Sequence, residues 1–247
     1  MRSARTMRSA LLALASALIL GMGGIAYLQG TAEPPATPPT APDDPAVGTE
    51  AQQEETDDVL LTRARAMFEP IPTETPLLEN NPFTAEKEAL GRALWFDPRL
   101  SSSWFISCNS CHNVGTAGVD LQPLSIGHAW QRGGRNSPTV FNAVFNVAQF
   151  WDGRADDLAD QAMGPIQDAL EMNNTPERVM STIASMPGYV DQFAAAFPDE
   201  EEPVTFLNVA RAIETFESTL LTPNSRFDQF LEGDTEVFTQ QERDGLE

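Results

Sequence analysis

The sequence predicts an all-α domain with long loops, organised around something other than its own side chains. Three observations carry that expectation. Several segments repeat apolar residues at helical spacing and open on capping residues. Leu100 to Trp151, by contrast, is rich in Ser, Gly and Asn with no sustained period; some fifty residues of loop need an organiser inside a compact domain. The 247 residues include 2 cysteines, which rules out a disulfide-built scaffold.

The elements follow in chain order. Arg2, Arg5 and Arg8 precede an uncharged stretch from Ala10 to Tyr27, with no acid before Glu33. This is the charged and apolar pattern of an export segment over residues 1–30, pointing to the periplasm. As a helix the apolar stretch reaches about 27 Å, close to the ~30 Å of a bilayer core. A cleaved signal peptide and a retained membrane anchor at residues 10–27 therefore both fit. Residues 31–57 hold six prolines, many alanines and several acids without a basic residue. Such a segment cannot bury enough apolar surface to fold and reads as a disordered linker. The folded domain is expected over residues 58–247.

Within it, Thr84 caps a helix with Leu90, Leu94 and Trp95 on one face, stopped by Asp97-Pro98. Thr175-Pro176-Glu177 supplies a cap, a first-turn proline and an acid. It opens a helix with Val179 and Ile183, ended by Pro187-Gly188, and a short amphipathic piece with Val190, Phe193 and Phe197 follows. Leu207, Ala210, Ile213, Phe216 and Leu220 mark the most regular helix. Thr239 and Glu242 form a capping box for one more, close to the end.

Fifteen Lys+Arg against thirty-six Asp+Glu give a formal charge of −21, which excludes nucleic acid as a partner. Such a surface stays soluble and steers basic partners.

The organiser is expected at Cys108-Asn109-Ser110-Cys111-His112. Two thiols at this spacing add across the two vinyl groups of a porphyrin, and the next histidine reaches the iron. A thioredoxin-like redox pair and half a zinc site are the alternatives. The first normally sits in a βαβ context, and the second would find only His128 as a further histidine. His128, in a loop flanked by Gly127 and Gly133-Gly134, is a candidate distal ligand. Met163, Met172, Met180 and Met186 compete for that place; a methionine raises the potential, whereas two histidines lower it.

Ser125 to His128, Asn136 to Asn146 and Gln149 to Arg154 closely resemble the bacterial di-haem cytochrome c peroxidases. So do Leu170 to Asn173, Met186 to Tyr189 and Ala212 to Glu217. The resemblance covers about Asp58 to Glu247. It implies a cytochrome c-like domain that holds the peroxidatic haem c on Cys108 and Cys111, with His112 as proximal ligand. His128 matches the distal histidine of the resting oxidised state, Glu171 the acid–base glutamate and Gln161 a glutamine beside it. Phe150 matches a pocket residue, Trp151 the tryptophan between the two haems and Asn136 a ligand to an interdomain calcium. Implied with these are hydrogen peroxide as substrate, a small c-type cytochrome as electron donor and a homodimer.

Family members continue past the last capping box into a helix with a second C-x-x-C-H. This sequence stops short of it, so truncation before a second haem is expected. Two other readings stay open: a mono-haem electron-transfer module without chemistry at its iron, and a related di-haem oxidase acting on another substrate.

Overall fold

The computed structural model describes residues 57–246. The expected export segment, and all of the expected linker except Asp57, lie outside the described residues. Helices follow one another as α1 (Asp57–Arg65), α2 (Ala85–Trp95), α3 (Cys108–Cys111), α4 (Leu158–Gln167) and α5 (Pro176–Ala184), then α6 (Pro187–Ala196), α7 (Phe206–Glu217), α8 (Arg226–Glu232) and α9 (Gln240–Asp244). Among the described residues no strand forms; Ile126 with Arg132 and Gln149 with Ala155 make isolated antiparallel bridges. The all-α expectation holds.

The helix starts are those the side chains dictate. Thr84 Oγ1 accepts from the Lys87 amide at 3.1 Å, Thr175 Oγ1 from Arg178 at 3.3 Å and Thr205 Oγ1 from Asn208 at 3.2 Å. Each satisfies an amide that the first turn leaves unpaired. Pro187 both ends α5 and occupies the first turn of α6, so the punctuation expected to stop one helix also starts the next. The regular helix is shorter than its stripe suggested: α7 ends at Glu217, before Leu220, and Leu207 is exposed.

The architecture turns on the crossing of α2 and α7, with α4 and α6 packed alongside. At Gly91 the two backbones nearly touch: a Cβ there would stand 1.8 Å from the Ala212 carbonyl oxygen. Only a residue without a side chain allows that approach. Leu90, Leu94, Trp95, Phe193, Val209, Ile213 and Phe216 fill the surrounding core. Each large apolar side chain buried there contributes about 1.5–3 kcal/mol. Asn81 fastens the incoming chain to α7, its amide donating to Glu214 Oε2 at 2.7 Å. A second, smaller cluster joins Leu60, Leu61 and Ala64 of α1 to Phe230 and Leu231 of α8.

Leu100 to Trp151 is as irregular as expected, holding α3 and a few single 3₁₀ turns. Its backbone is also strained. Trp104, Ala117, Leu121, Ala129, Trp130 and Phe150 all lie at positive φ, between 53° and 65°. Outside this stretch the non-glycine residues at positive φ among the described residues are Asn80, Asn173 and Asn224, a residue type that tolerates the left-handed region.

Candidate functional site

α3 presents Cys108 and Cys111 one turn apart, and His112 follows as its C-cap, its amide donating to the Cys108 carbonyl at 2.9 Å. Ser137 Oγ donates to the Cys111 carbonyl at 2.9 Å, tying the opposing loop to this turn. Nδ1 of His112 lies 3.0 Å from the Pro138 carbonyl oxygen. A carbonyl only accepts, so Nδ1 carries the hydrogen and the Nε2 lone pair remains free, the arrangement typical of a metal-bound histidine. Burial lowers the proton affinity of this imidazole and keeps it neutral.

The three residues line a cavity of about 820 Å³, bounded also by Trp95, Ser125, Phe150, Gln161, Glu171 and Glu217. That is the upper end of the ~300–1,000 Å³ common for cofactor sites. Burial pushes the Cys108 thiol far up and Cys111 to about 11. Reactive CxxC pairs depend on lowered thiol pKa values, so these thiols do not suit the redox-pair reading. Among the described residues no three His, Cys, Asp or Glu side chains converge as metal ligands, so the half-zinc reading finds no complement there.

The cavity's polar atoms test whether haem fits. Trp95 Nε1 and Glu217 Oε2 are buried without a protein partner, and both side chains line this one cavity. Orphaned polar atoms are costly in a finished core. Gathered at one cavity, they suit a bound group with polar substituents of its own, as haem is.

Glu171 lies in the turn after α4. Burial pushes its carboxyl above the ordinary value, Asp168 adds to the effect and Arg154 opposes it. Gln161 reaches the same cavity from α4, and Phe150 packs its ring against Gly164 of that helix, where a Cβ would lie 3.0 Å from Phe150 Cζ. The Arg154 guanidinium sits 3.4 Å from the Phe150 ring centroid. Arg154 and Arg135 both bind Asp152 at 2.8 Å and hold its carboxyl down to about 2. Trp151 lines the cavity and is 65% exposed as a residue, while its Nε1 donates to the Asn136 carbonyl at 2.8 Å. Asn136 Nδ2 donates to the Gln122 carbonyl at 2.6 Å.

His128 is not brought to the cavity wall. Its Nδ1 lies 3.2 Å from Ser102 Oγ, and its amide donates to the Glu171 carbonyl at 2.7 Å. Gly127 makes that second contact feasible, since a Cβ there would stand 2.1 Å from the Leu170 carbonyl oxygen. The loop is thus bonded directly to the segment that holds Glu171. Of the competing methionines, Met172 lines the cavity; Met163, Met180 and Met186 pack against the core instead.

Sequence reasoning did not assign Trp95, Ser102 or Glu217 to the site. Glu217 offered a signal, an acid beside Phe216 at the end of an apolar stripe. Ser102 offered none.

Comparison with known proteins identifies the family. Residues 85–236 match the model of a family described as di-haem cytochrome c peroxidase. The cytochrome c551 peroxidase of Pseudomonas aeruginosa is 54% identical over 189 residues, which are 76% of this chain and 55% of that protein. The protein of the same name from Nitrosomonas europaea is 49% identical over 170 residues, 69% of this chain and 50% of its own. Among solved structures, a MauG-like protein associated with microbial copper homeostasis superposes with a TM-score of 0.63 at 29% identity, covering 72% of this chain and 51% of that one. The chain spans about half the length of the curated relatives it matches.

Proposed function

Since this chain belongs to the di-haem cytochrome c peroxidase family, for which haem c is the expected cofactor, we propose that it carries a covalent haem c and serves the reduction of hydrogen peroxide to water with electrons from a small c-type cytochrome. The observation that carries the reading is one cavity lined by Cys108, Cys111 and His112 together with Gln161 and Glu171.

In this reading Cys108 and Cys111 would form the two thioethers and His112 Nε2 would bind the iron, with Nδ1 held by the Pro138 carbonyl. When bound, the haem supplies an iron at which peroxide loses its O–O bond, with two electrons and two protons consumed for two waters. Glu171 handles the proton: its carboxylate accepts it from the inner peroxide oxygen and returns it to the departing one. Burial suits that task, because a raised pKa makes the carboxyl a stronger base than a solvated one. Gln161 orients the peroxide, Phe150 limits water in the cavity, and the exposed edge of Trp151 is where electrons enter. His128 serves as distal ligand of a resting state. That role would require its ring to leave Ser102, 3.2 Å from Nδ1.

The proposal includes export to the periplasm, the boundaries 1–30, 31–57 and 58–247, calcium at the Asn136 side-chain carbonyl, and a homodimer. Among the described residues no helix is long and apolar enough to cross a membrane.

Expression with a c-type maturation system tests the core of this reading. The pigment should survive denaturing electrophoresis, the Cys108→Ala/Cys111→Ala variant should be colourless, and peroxide should change the visible spectrum of the wild type. Pigment lost from the wild type on denaturation would refute covalent attachment.

A further inference from the structure

The peroxidase reading leaves one buried ionisable group in the cavity without a role. Glu217, at the last turn of α7, is 3% exposed, lines the cavity, and has no partner for Oε2. Its neighbour Glu214, one turn earlier, is by contrast bonded to Asn81 at 2.7 Å. A buried carboxyl without a donor is costly when ionised and cheap when protonated. Its protonation is therefore set by whatever charge occupies the cavity.

Resting on the haem reading above, we propose that Glu217 is the proton-holding partner of the haem's redox change. As one electron arrives from a small c-type cytochrome or an electrode, reducing iron(III) to iron(II), the Glu217 carboxylate takes up one proton from solvent through the cavity; oxidation reverses both. Only the carboxyl O–H bond forms or breaks. The direction follows from Coulomb's law: the extra positive charge of the oxidised cofactor favours a carboxylate beside it, and its loss favours the acid.

The charged surroundings agree. On α7 the like charge of Glu214 adds to burial in pushing Glu217 up to about 8. From α3 the facing group is Cys108, neutral as a thiol and neutral as a thioether. On α2 the cations are Lys87, bonded to the Asn81 side chain and the Pro82 carbonyl, and Arg92, 6.0 Å from the Phe216 ring centroid and bound to Glu88. α4 carries no cation, only the acid Asp160. Across the cavity stand neutral His112, the raised Glu171, and Asp152 neutralised by Arg135 and Arg154. None of these provides Glu217 with a fixed counter-charge.

Spectroelectrochemical titration of the haem-loaded full chain over a pH series reads this out. The wild-type midpoint potential should fall as pH rises. Its limit is tenfold in the reduction equilibrium per pH unit, about 59 mV for one electron. Glu217→Gln should hold the potential near the wild-type low-pH value and abolish the slope, while Glu217→Asp should retain it. A flat wild-type profile, or a slope that survives Glu217→Gln and disappears in Glu171→Gln, would overturn the assignment. Should Glu217→Gln fail to load haem, infrared difference spectra of the wild type decide. Reduction should produce the C=O band of a protonated carboxyl that shifts in heavy water, and its absence overturns the inference. A wild type without covalent pigment refutes the haem reading itself, and this inference with it.

Discussion

Replacing Gly91 by alanine should separate the two helices whose ends meet the cavity. The added Cβ would stand 1.8 Å from the Ala212 carbonyl oxygen and 2.6 Å from its carbon, where ordinary contact begins near 3.4 Å. The backbones must therefore part by about 1.6 Å at the crossing. Because the obstacle is main chain, no rotamer change relieves it, and the cost belongs at the top of the usual overpacking range, about 3 kcal/mol. For a domain of this size that lowers Tm by roughly 6–12 °C. α2 carries Trp95 and α7 carries Glu217 into the cavity, so the same displacement should reduce covalent haem loading. Thermal melts followed by circular dichroism, with pigment per protein, measure both effects. Ala212→Gly should not rescue the variant, since the clash is with backbone. A Gly91→Ala protein melting within 2 °C (roughly 1 kcal/mol or less) of wild type, or a full rescue by Ala212→Gly, would refute the reasoning.

Glu171→Gln should slow peroxide cleavage by about 10²–10⁴-fold, measured by stopped flow. The wild-type rate should fall as pH drops through the raised pKa of Glu171, because the base is then protonated; the variant should show no such limb, and a shared limb would assign it elsewhere. Ser102→Ala removes the side-chain contact of the His128 ring, 3.2 Å at Nδ1 and worth about 1 kcal/mol. The low-spin fraction of the oxidised protein should rise about fivefold relative to high-spin, and an unchanged optical and paramagnetic resonance spectrum would count against the latch. Protein made without haem should be cut between Leu100 and Trp151 by a broad protease well before the loaded form, a difference that mass spectrometry of the fragments locates. Equal resistance of the two forms would show that the segment orders itself.

Local chemistry was legible in the sequence wherever a few adjacent residues decide the outcome. The caps at Thr84, Thr175 and Thr239 form as expected because each needs only its own first turn. The C-x-x-C-H run was legible for the same reason. α4 was not singled out: Pro165 interrupts it, and its buried face is Leu158, Ala159, Ala162 and Ile166, two of them small. The stripe through Leu207 and Leu220 marked the helix but not its limits, because helical spacing does not say where packing stops: Leu207 is exposed and α7 ends before Leu220. The walls of a cavity look like a core face in sequence, so Trp95 passed as packing and Glu217 as an acid on a helix. The orientation of His128 depends on Ser102, 26 positions earlier, and no periodicity links residues so far apart in a loop.

The left-handed residues of the irregular segment have a consequence for the life of the molecule in a cell. Six non-asparagine side chains at positive φ lie between Trp104 and Phe150. At about 1–3 kcal/mol each, their strain rivals the ~5–15 kcal/mol net stability of a typical domain. Packing that segment around a bound cofactor would offset the strain; an empty chain would have nothing equivalent to set against it. Housekeeping proteases would then find unloaded copies first, at the very stretch that carries Cys108 and Cys111.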